Sequence, residues 1–162
     1  MVSVSDDVPL HLGAVRWAYH TKLDPPSRPT GAASVNKDAP IVAVIDDDRA
    51  IRTALSSLLR SAGYRVCLFE NAEAFLDARE IATAHCIVTD IQMPGLSGLD
   101  FIEQLNENGS SIPVLVITAF PEAPIRMRAE RLGVAAFLSK PFDAATILRS
   151  IESALSGLTG AV

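Results

Sequence analysis

The sequence is poor in cysteine, tryptophan and long apolar stretches. Its two cysteines, Cys67 and Cys86, lie in apolar runs where a thiol behaves as a small hydrophobic side chain, so neither a disulfide framework nor a cysteine metal site is indicated. No apolar run approaches the length that crosses a bilayer. His11, Arg16 and His20 interrupt the apolar patch near the start, which argues against a signal peptide. We therefore predict a cytoplasmic protein that does not contact membranes.

An excess of positive charge is also missing. The net charge is −5, and hydrophobic residues make up 49% of the chain against 20% charged residues. The first 40 residues hold four acidic and four basic side chains, so the whole negative excess lies after residue 40. An acidic domain without a basic stripe argues against direct nucleic-acid binding.

Proline concentrates at the start of the chain, where residues 1–40 contain five of the ten prolines. Small and polar residues separate them, which predicts a disordered leader over residues 1–40. A short partner-binding helix around Trp17 is the alternative, although Gly13 weakens it, and a misassigned start codon is another explanation. The rest of the chain has room for one domain, which we place at residues 41–160.

Apolar residues after position 40 recur in five units, each a strand-like run followed by a helix-like segment. The predicted strands are Ile41–Ile45, 64–69, Cys86–Asp90, Val114–Thr118 and 134–138. Asn71 can cap the second helix, which carries Ala74, Phe75 and Ala78 on one side. The third helix begins near Gly98. Five strands thus alternate with five helices.

Right-handed crossovers make such a chain an α/β fold, with a parallel sheet and helices on both faces. The predicted architecture is doubly wound and flavodoxin-like, with the strand order 2-1-3-4-5. In that order the ends of strands 1, 3, 4 and 5 meet at one edge of the sheet. The side chains expected there are Asp46, Asp47, Asp90, Thr118 and Lys140.

Three carboxylates in one place are unfavourable because like charges raise one another's pKa, and a divalent cation relieves this better than protonation does at neutral pH. Mg²⁺ fits best, since it prefers oxygen ligands and leaves positions open for water and phosphate. With Lys140 as a cation and Thr118 as a hydroxyl donor, the group can hold a transferring phosphoryl group. Alternatively, Asp90 is a turn aspartate that bonds to its own backbone.

Four motifs in this order resemble the receiver domains of bacterial two-component response regulators, particularly those of the FixJ type. The motifs are VIDDD at 44–48, VTDIQMPGLSG at 88–98, VITA at 116–119 and FLSKPF at 137–142. The resemblance covers about residues 41–156. It implies the CheY-like form of the flavodoxin-like fold and a signalling switch that is not a turnover enzyme.

The resemblance also implies roles for the acidic residues. Asp90 is the phosphoacceptor, which attacks the phosphorus of a phosphohistidine on a sensor histidine kinase or a phosphotransfer protein. Asp46 and Asp47 hold Mg²⁺, with Asp47 the direct ligand of the two, while Asp90 adds an oxygen and Gln92 its backbone carbonyl. Asp48 is a spare acid that faces solvent or lies behind the ligands.

Further roles follow from the same resemblance. Lys140 pairs with the phosphoryl oxygens, and its bond to Pro141 is cis. Thr118 and Phe137 form a switch pair: the hydroxyl moves to the phosphoryl group and the ring turns into the vacated space. The surface of helix 4, strand 5 and helix 5 then binds a downstream protein, and a homodimer is a further option. Plain core packing is the alternative for Phe137.

Two features depart from the family pattern. Phe120 lies two residues beyond the threonine, where the family often places a polar residue, and a bulky ring there could exclude the hydrolytic water. We therefore predict a slow loss of phosphate from Asp90. No output domain follows the receiver within the sequence, which predicts a stand-alone receiver that signals through another protein or drains phosphate from a shared kinase.

A Mg²⁺-dependent phosphohydrolase with an aspartyl nucleophile is the competing function. The spacing of Asp46 and Asp48 gives it limited support. Such enzymes of the haloacid dehalogenase type usually place threonine or valine after the second aspartate, whereas Arg49 and Ala50 follow here, and a cap region is missing. Dinucleotide binding is excluded because no glycine-rich loop follows the first strand.

Overall fold

The protein is described by a computed structural model that covers residues 36–78 and 83–159. The elements along the chain are β1 (Ile41–Ile45), α1 (Arg49–Ser61), β2 (Arg65–Phe69), α2 (Ala72–Asp77), β3 (Cys86–Asp90), α3 (Gly98–Glu107), β4 (Val114–Thr118), α4 (Ala123–Arg131), β5 (Ala136–Ser139) and α5 (Ala144–Thr159). Most of the predicted leader, residues 1–35, lies outside the described residues. Among the helices described, none is both long and apolar enough to cross a membrane.

The five strands form one parallel sheet in the order β2-β1-β3-β4-β5. This confirms the predicted flavodoxin-like fold. Every residue of β1, β3 and β4 is buried, as expected for central strands that helices cover on both faces. The edge strands β2 and β5 are only partly buried.

Side chains of the central strands alternate between two cores. In β1, Val42 and Val44 belong to the core that α1 and α5 cover. Ala43 and Ile45 belong to the core that α2, α3 and α4 cover. Helices thus pack on both faces of the sheet and leave its carboxyl edge as the place where the strand ends meet.

The second and fifth strands begin later than predicted because the residues before them finish the preceding helices. The N–H of Tyr64 donates to the carbonyl of Leu59 at 3.0 Å, five residues back in α1. The N–H of Val134 likewise donates to the carbonyl of Ala129 in α4 at 3.3 Å. A glycine with positive φ precedes each, which is the arrangement of a helix C-terminal cap. Tyr64 and Val134 are therefore cap residues, and the prediction that they start strands is wrong.

The second helix is shorter than its apolar pattern indicated. Asn71 caps it as predicted, because its side chain accepts from the N–H of Ala74 at 2.7 Å. Ala78 lies beyond the helix with extended backbone, so its predicted helical position is wrong. The helix is anchored by Phe75, whose ring makes edge-to-face contacts with Phe69 and Phe101 at centroid distances of 5.2 and 5.5 Å.

Candidate functional site

The predicted site residues converge at the carboxyl edge of the sheet. Asp90 and Thr118 are the last residues of β3 and β4. Asp46 immediately follows β1, and Lys140 immediately follows β5. Asp46 and Thr118 are fully buried, and Asp90 is 7% exposed. Ligands of open α/β sheets bind outside this edge, so these polar groups lie at the edge of the sheet where a ligand is expected.

Three carboxylates form the centre of the site. One oxygen from each of Asp46, Asp47 and Asp90 lies within 4.8 Å of the others. Asp46 is further fixed by the N–H of Asp48, which donates to its Oδ1 at 2.9 Å. Asp47 is exposed, so the cluster is open to solvent on one side.

Lys140 links two of these carboxylates. Its Nζ lies 2.9 Å from Asp90 Oδ2 and 3.2 Å from Asp46 Oδ2. Burial raises the pKa of Asp46 to about 6, although the Lys140 ammonium opposes that shift. Burial by itself would lower the pKa of Lys140, but Asp46 and Asp90 outweigh it and the pKa is raised. The lysine is therefore a permanent positive charge beside Asp90.

The other oxygen of Asp90 bonds to the loop that follows it. The N–H of Gln92 donates to Asp90 Oδ1 at 3.1 Å, so Asp90 also bonds as a turn aspartate would. Gly98 closes this loop against the strand end, since a Cβ added at Gly98 would lie 2.2 Å from the Asp90 carbonyl oxygen. Only glycine fits there without displacing the backbone that carries Asp90.

Thr118 and Phe137 lie on neighbouring strands, with Thr118 buried and Phe137 partly buried. The N–H of Phe120 donates to Thr118 Oγ1 at 3.1 Å. Phe120 is 56% exposed and lies in the loop between β4 and α4. The Lys140–Pro141 bond is cis, as predicted from the family resemblance.

Two contacts at the site were not predicted. Asp48 is the N-cap of α1, where its Oδ1 accepts from the N–H of Ala50 at 2.8 Å. An aspartate directly before a helical pattern is a recognised cap signal and could have identified it. Arg52 donates to the backbone carbonyl of Asp46 at 2.6 Å, a contact for which the sequence holds no comparable signal.

The donor set suits a small hard cation. Mg²⁺ takes carboxylate and carbonyl oxygens and keeps water in its remaining positions, and the three clustered carboxylates supply such oxygens on a solvent-open side. A divalent ion would also offset their mutual repulsion. The residues present therefore fit Mg²⁺.

The family model for the response regulator receiver domain matches residues 42–152 of this chain. The chain belongs to this family. That confirms the resemblance that the four motifs indicated. Receiver domains are phosphoacceptor signalling modules that interact with histidine kinases and downstream targets, and they bind Mg²⁺ at an acidic pocket.

Among its relatives is the transcriptional regulatory protein FixJ of Azorhizobium caulinodans, which is 45% identical over 114 residues, or 70% of this chain and 54% of the relative. The response regulator protein TodT of Pseudomonas putida is 36% identical over 126 residues, covering 78% and 56%. This receiver-family chain thus spans about half the length of the curated relatives it matches.

Solved structures agree with this assignment. The response regulator StyR superposes with a TM-score of 0.68 at 42% identity, covering 73% of this chain and 60% of StyR. The FixJ-N structure superposes with a TM-score of 0.66 at 31% identity, covering 72% and 94%. The receiver fold and its FixJ-type character are therefore established.

Proposed function

We propose that this receiver accepts a phosphoryl group on Asp90 from a histidine kinase or a phosphotransfer protein and passes the signal to a protein partner. The observation that carries the proposal is the position of Asp90 Oδ2, which lies 2.9 Å from Lys140 Nζ in a cluster of three carboxylates. Such an arrangement supplies a nucleophile, a cation and oxygen ligands at one point on the edge of the sheet.

In the proposed transfer a carboxylate oxygen of Asp90 attacks the phosphorus of a phosphohistidine. The new O–P bond forms as the P–N bond breaks, and the electron pair of that bond stays on the imidazole nitrogen. Lys140 stands beside the attacked group, where its ammonium can pair with phosphoryl oxygens as charge moves onto them. Thr118 Oγ1 offers a further hydrogen bond from the adjacent strand.

Asp46, Asp47 and Asp90 would hold Mg²⁺, together with the backbone carbonyl of Gln92. When bound, the ion supplies positive charge that neutralises phosphoryl oxygens during transfer. The buried Asp46 is fixed by Lys140 and the Asp48 N–H, which keeps its carboxylate oriented toward the cluster. Asp48 serves as the helix cap and is not assigned a ligand role.

The signalling step is proposed to use the surface of α4, β5 and α5. Thr118 pairs with Ser139 across β4 and β5, and Phe137 comes two residues before Ser139 in β5. A shift of the Thr118 hydroxyl toward a phosphoryl group would therefore take place near Phe137. Movement of the Phe137 ring would then alter the surface beside it. A partner that recognises the altered surface would distinguish the phosphorylated state.

Labelling with acetyl phosphate and Mg²⁺ tests the proposal. We expect one phosphoryl group per chain, located on Asp90 by peptide mapping, and none on Asp90→Asn. Asp48→Asn is the matched control, because it makes the same chemical change nearby and keeps a helix-capping side chain. Continuous release of phosphate without accumulation on Asp90 would favour the phosphohydrolase, and full labelling of Asp90→Asn would refute the assignment.

Three expectations from the sequence stay predictions. They are the stand-alone arrangement, the absence of direct nucleic-acid binding and the disordered leader. The matched FixJ and TodT relatives extend well beyond the shared region, and FixJ is named a transcriptional regulatory protein. Titrating the phosphorylated receiver against duplex DNA and against candidate protein partners would test the second of them.

A further inference from the structure

The loop that follows the phosphoacceptor, residues 91–97, is held at its base by contacts of its own. The N–H of Gly98 donates to the Ile91 carbonyl at 3.0 Å and closes the loop. Met93 is 8% exposed and packs into the core on one side of the sheet. These contacts fix the beginning and end of the loop. Between them Pro94 and Gly95 are exposed, and Leu96 is partly buried against the core.

A carboxylate from a neighbouring helix contacts the middle of this loop. Glu73 lies in α2, and its Oε1 accepts from the N–H of Leu96 at 2.8 Å. The same oxygen also lies close to Gly95. A Cβ added at Gly95 would lie 2.5 Å from Glu73 Oε1. Gly95 also has a φ of +81°, which favours glycine independently. The loop therefore packs directly against the Glu73 carboxylate at Gly95 and Leu96.

Glu73 is presented from a well-anchored position. Asn71 caps the start of α2, and Ala72 and Phe75 on either side of Glu73 are fully buried. The hydrogen bond from the Leu96 N–H lowers the pKa of Glu73, so the side chain is charged at neutral pH. A charged acceptor makes a stronger hydrogen bond than a neutral one, even at an exposed position.

We propose that Glu73 is a positioning residue that fixes the 91–97 loop and thereby strengthens Mg²⁺ binding and speeds phosphorylation of Asp90. The inference rests on the proposed function and deepens it. The loop carries Gln92, whose N–H bonds to Asp90 Oδ1 and whose carbonyl is a proposed ligand. A loop that is already held in one arrangement loses less conformational entropy when the ion and the phosphoryl group bind.

The test compares Glu73→Ala and Glu73→Gln with Asp77→Asn, which neutralises another exposed carboxylate of the same helix. Three quantities are measured: hydrogen exchange of the Leu96 amide, the Mg²⁺ dissociation constant of the unphosphorylated protein from amide chemical shifts, and the rate of labelling by acetyl phosphate. We expect Glu73→Ala to speed Leu96 exchange and to weaken Mg²⁺ binding and labelling by about three- to tenfold. Glu73→Gln keeps an acceptor oxygen and should restore most of each loss. Asp77→Asn should match the wild type.

Gly95→Ala supplies a second variant that acts on the same contact from the loop side. Its methyl group would displace Glu73 Oε1, so part of its effect on Mg²⁺ binding should disappear when Glu73 is already alanine. Strictly additive effects in the double variant would overturn the proposal. So would unchanged Mg²⁺ affinity and labelling in Glu73→Ala while the wild type is labelled on Asp90. If the wild type itself is not labelled on Asp90, the proposed function fails, whereas faster Leu96 exchange and weaker Mg²⁺ binding in Glu73→Ala would still support the loop contact.

Discussion

The guanidinium of Arg126 lies 4.5 Å from the centroid of the Phe137 ring. This contact joins α4 to β5 at the residue proposed as the switch. The helix has a small apolar contact with the core, made by the buried Ala129 and the partly buried Ile125, and Glu122 makes no side-chain cap bond. Arg128 adds ion pairs to α3, at 2.7 Å to Asp100 and 2.8 Å to Glu103. Polar and cation–π contacts therefore add to a small apolar contact in holding α4 in place.

Arg126→Ala should ease the movement of the Phe137 ring. The cation–π contact favours the present, half-buried ring position, and such contacts are worth about a two- to fivefold change in an equilibrium at exposed sites. If the ring turns inward upon phosphorylation, loss of the cation–π contact should raise the rate of labelling by acetyl phosphate by a similar factor. Labelling rates together with the ring proton shifts of Phe137 measure this. Arg131→Ala removes an exposed charge from the same helix and should leave both unchanged; equal rates in the two variants would contradict the idea.

The fold could be predicted from the sequence because the central strands are continuous apolar runs with acidic or polar ends. The bounds of β1, β3 and β4 agree with the prediction residue for residue. Most of the errors fall at helix ends, although β5 also runs one residue further than predicted, to Ser139. Tyr64 and Val134 have strand-like side chains, but their N–H groups are used to complete helix caps. Local hydrogen bonding decided those boundaries, and hydrophobicity patterns do not report it.

Only part of the site could be predicted, because strand order places some of its residues and side-chain contacts of the helices place the others. Parallel strands bring their carboxyl ends together, so the convergence of Asp46, Asp90 and Lys140 follows from strand order alone. Glu73 and Arg126 are exposed helix residues that contact a loop N–H and the ring of a strand residue, and neither lies at a strand end. Which exposed charge reaches a given backbone N–H or ring depends on how helices pack, and a single sequence carries no periodic signal for that.

Gly98→Ala should both destabilise the protein and displace the backbone that carries Asp90. An added Cβ would lie 2.2 Å from the Asp90 carbonyl oxygen and 2.9 Å from Ile91 Cα, and backbone cannot move aside as a flexible side chain can. Overpacking of this kind costs about 1–3 kcal/mol. Urea unfolding measures the loss, and acetyl phosphate labelling should fall as well. Gly157→Ala is the control, because no atom lies within 4 Å of its added Cβ; comparable losses in both variants would argue against the close approach at Gly98.

Phe120 is expected to slow the loss of phosphate from Asp90. Its ring is 56% exposed, yet its backbone N–H bonds to Thr118 Oγ1, so the residue is tied to the site. Phe120→Gln should shorten the half-life of the phosphorylated protein severalfold, because water would then reach the phosphoryl group more readily. The half-life is followed by intact-protein mass spectrometry after removal of acetyl phosphate. Met127→Gln changes another exposed apolar side chain and should have no effect, and an unchanged half-life for Phe120→Gln would refute the shielding role.

Asp47→Asn should uncouple the stability of the protein from Mg²⁺. Asp47 is the exposed member of the carboxylate cluster, so its replacement relieves repulsion in the metal-free protein without opening a cavity. The free energy of unfolding without Mg²⁺ should therefore stay equal or rise. A ligand present at ten times its dissociation constant stabilises the native state by about 1.4 kcal/mol, and the wild type should show this gain from Mg²⁺.

The same addition of Mg²⁺ should stabilise Asp47→Asn far less, because one of the three proposed carboxylate ligands is gone. Urea unfolding with and without Mg²⁺ gives both quantities for each protein. Asp48→Asn is the matched control: it makes the identical change one residue along, outside the cluster, where asparagine can still accept from the Ala50 N–H. It should keep the full gain from Mg²⁺. An equal gain in Asp47→Asn and Asp48→Asn would mean that the ion is held without Asp47, and the ligand set would then have to be reassigned to Asp46, Asp90 and the loop carbonyl.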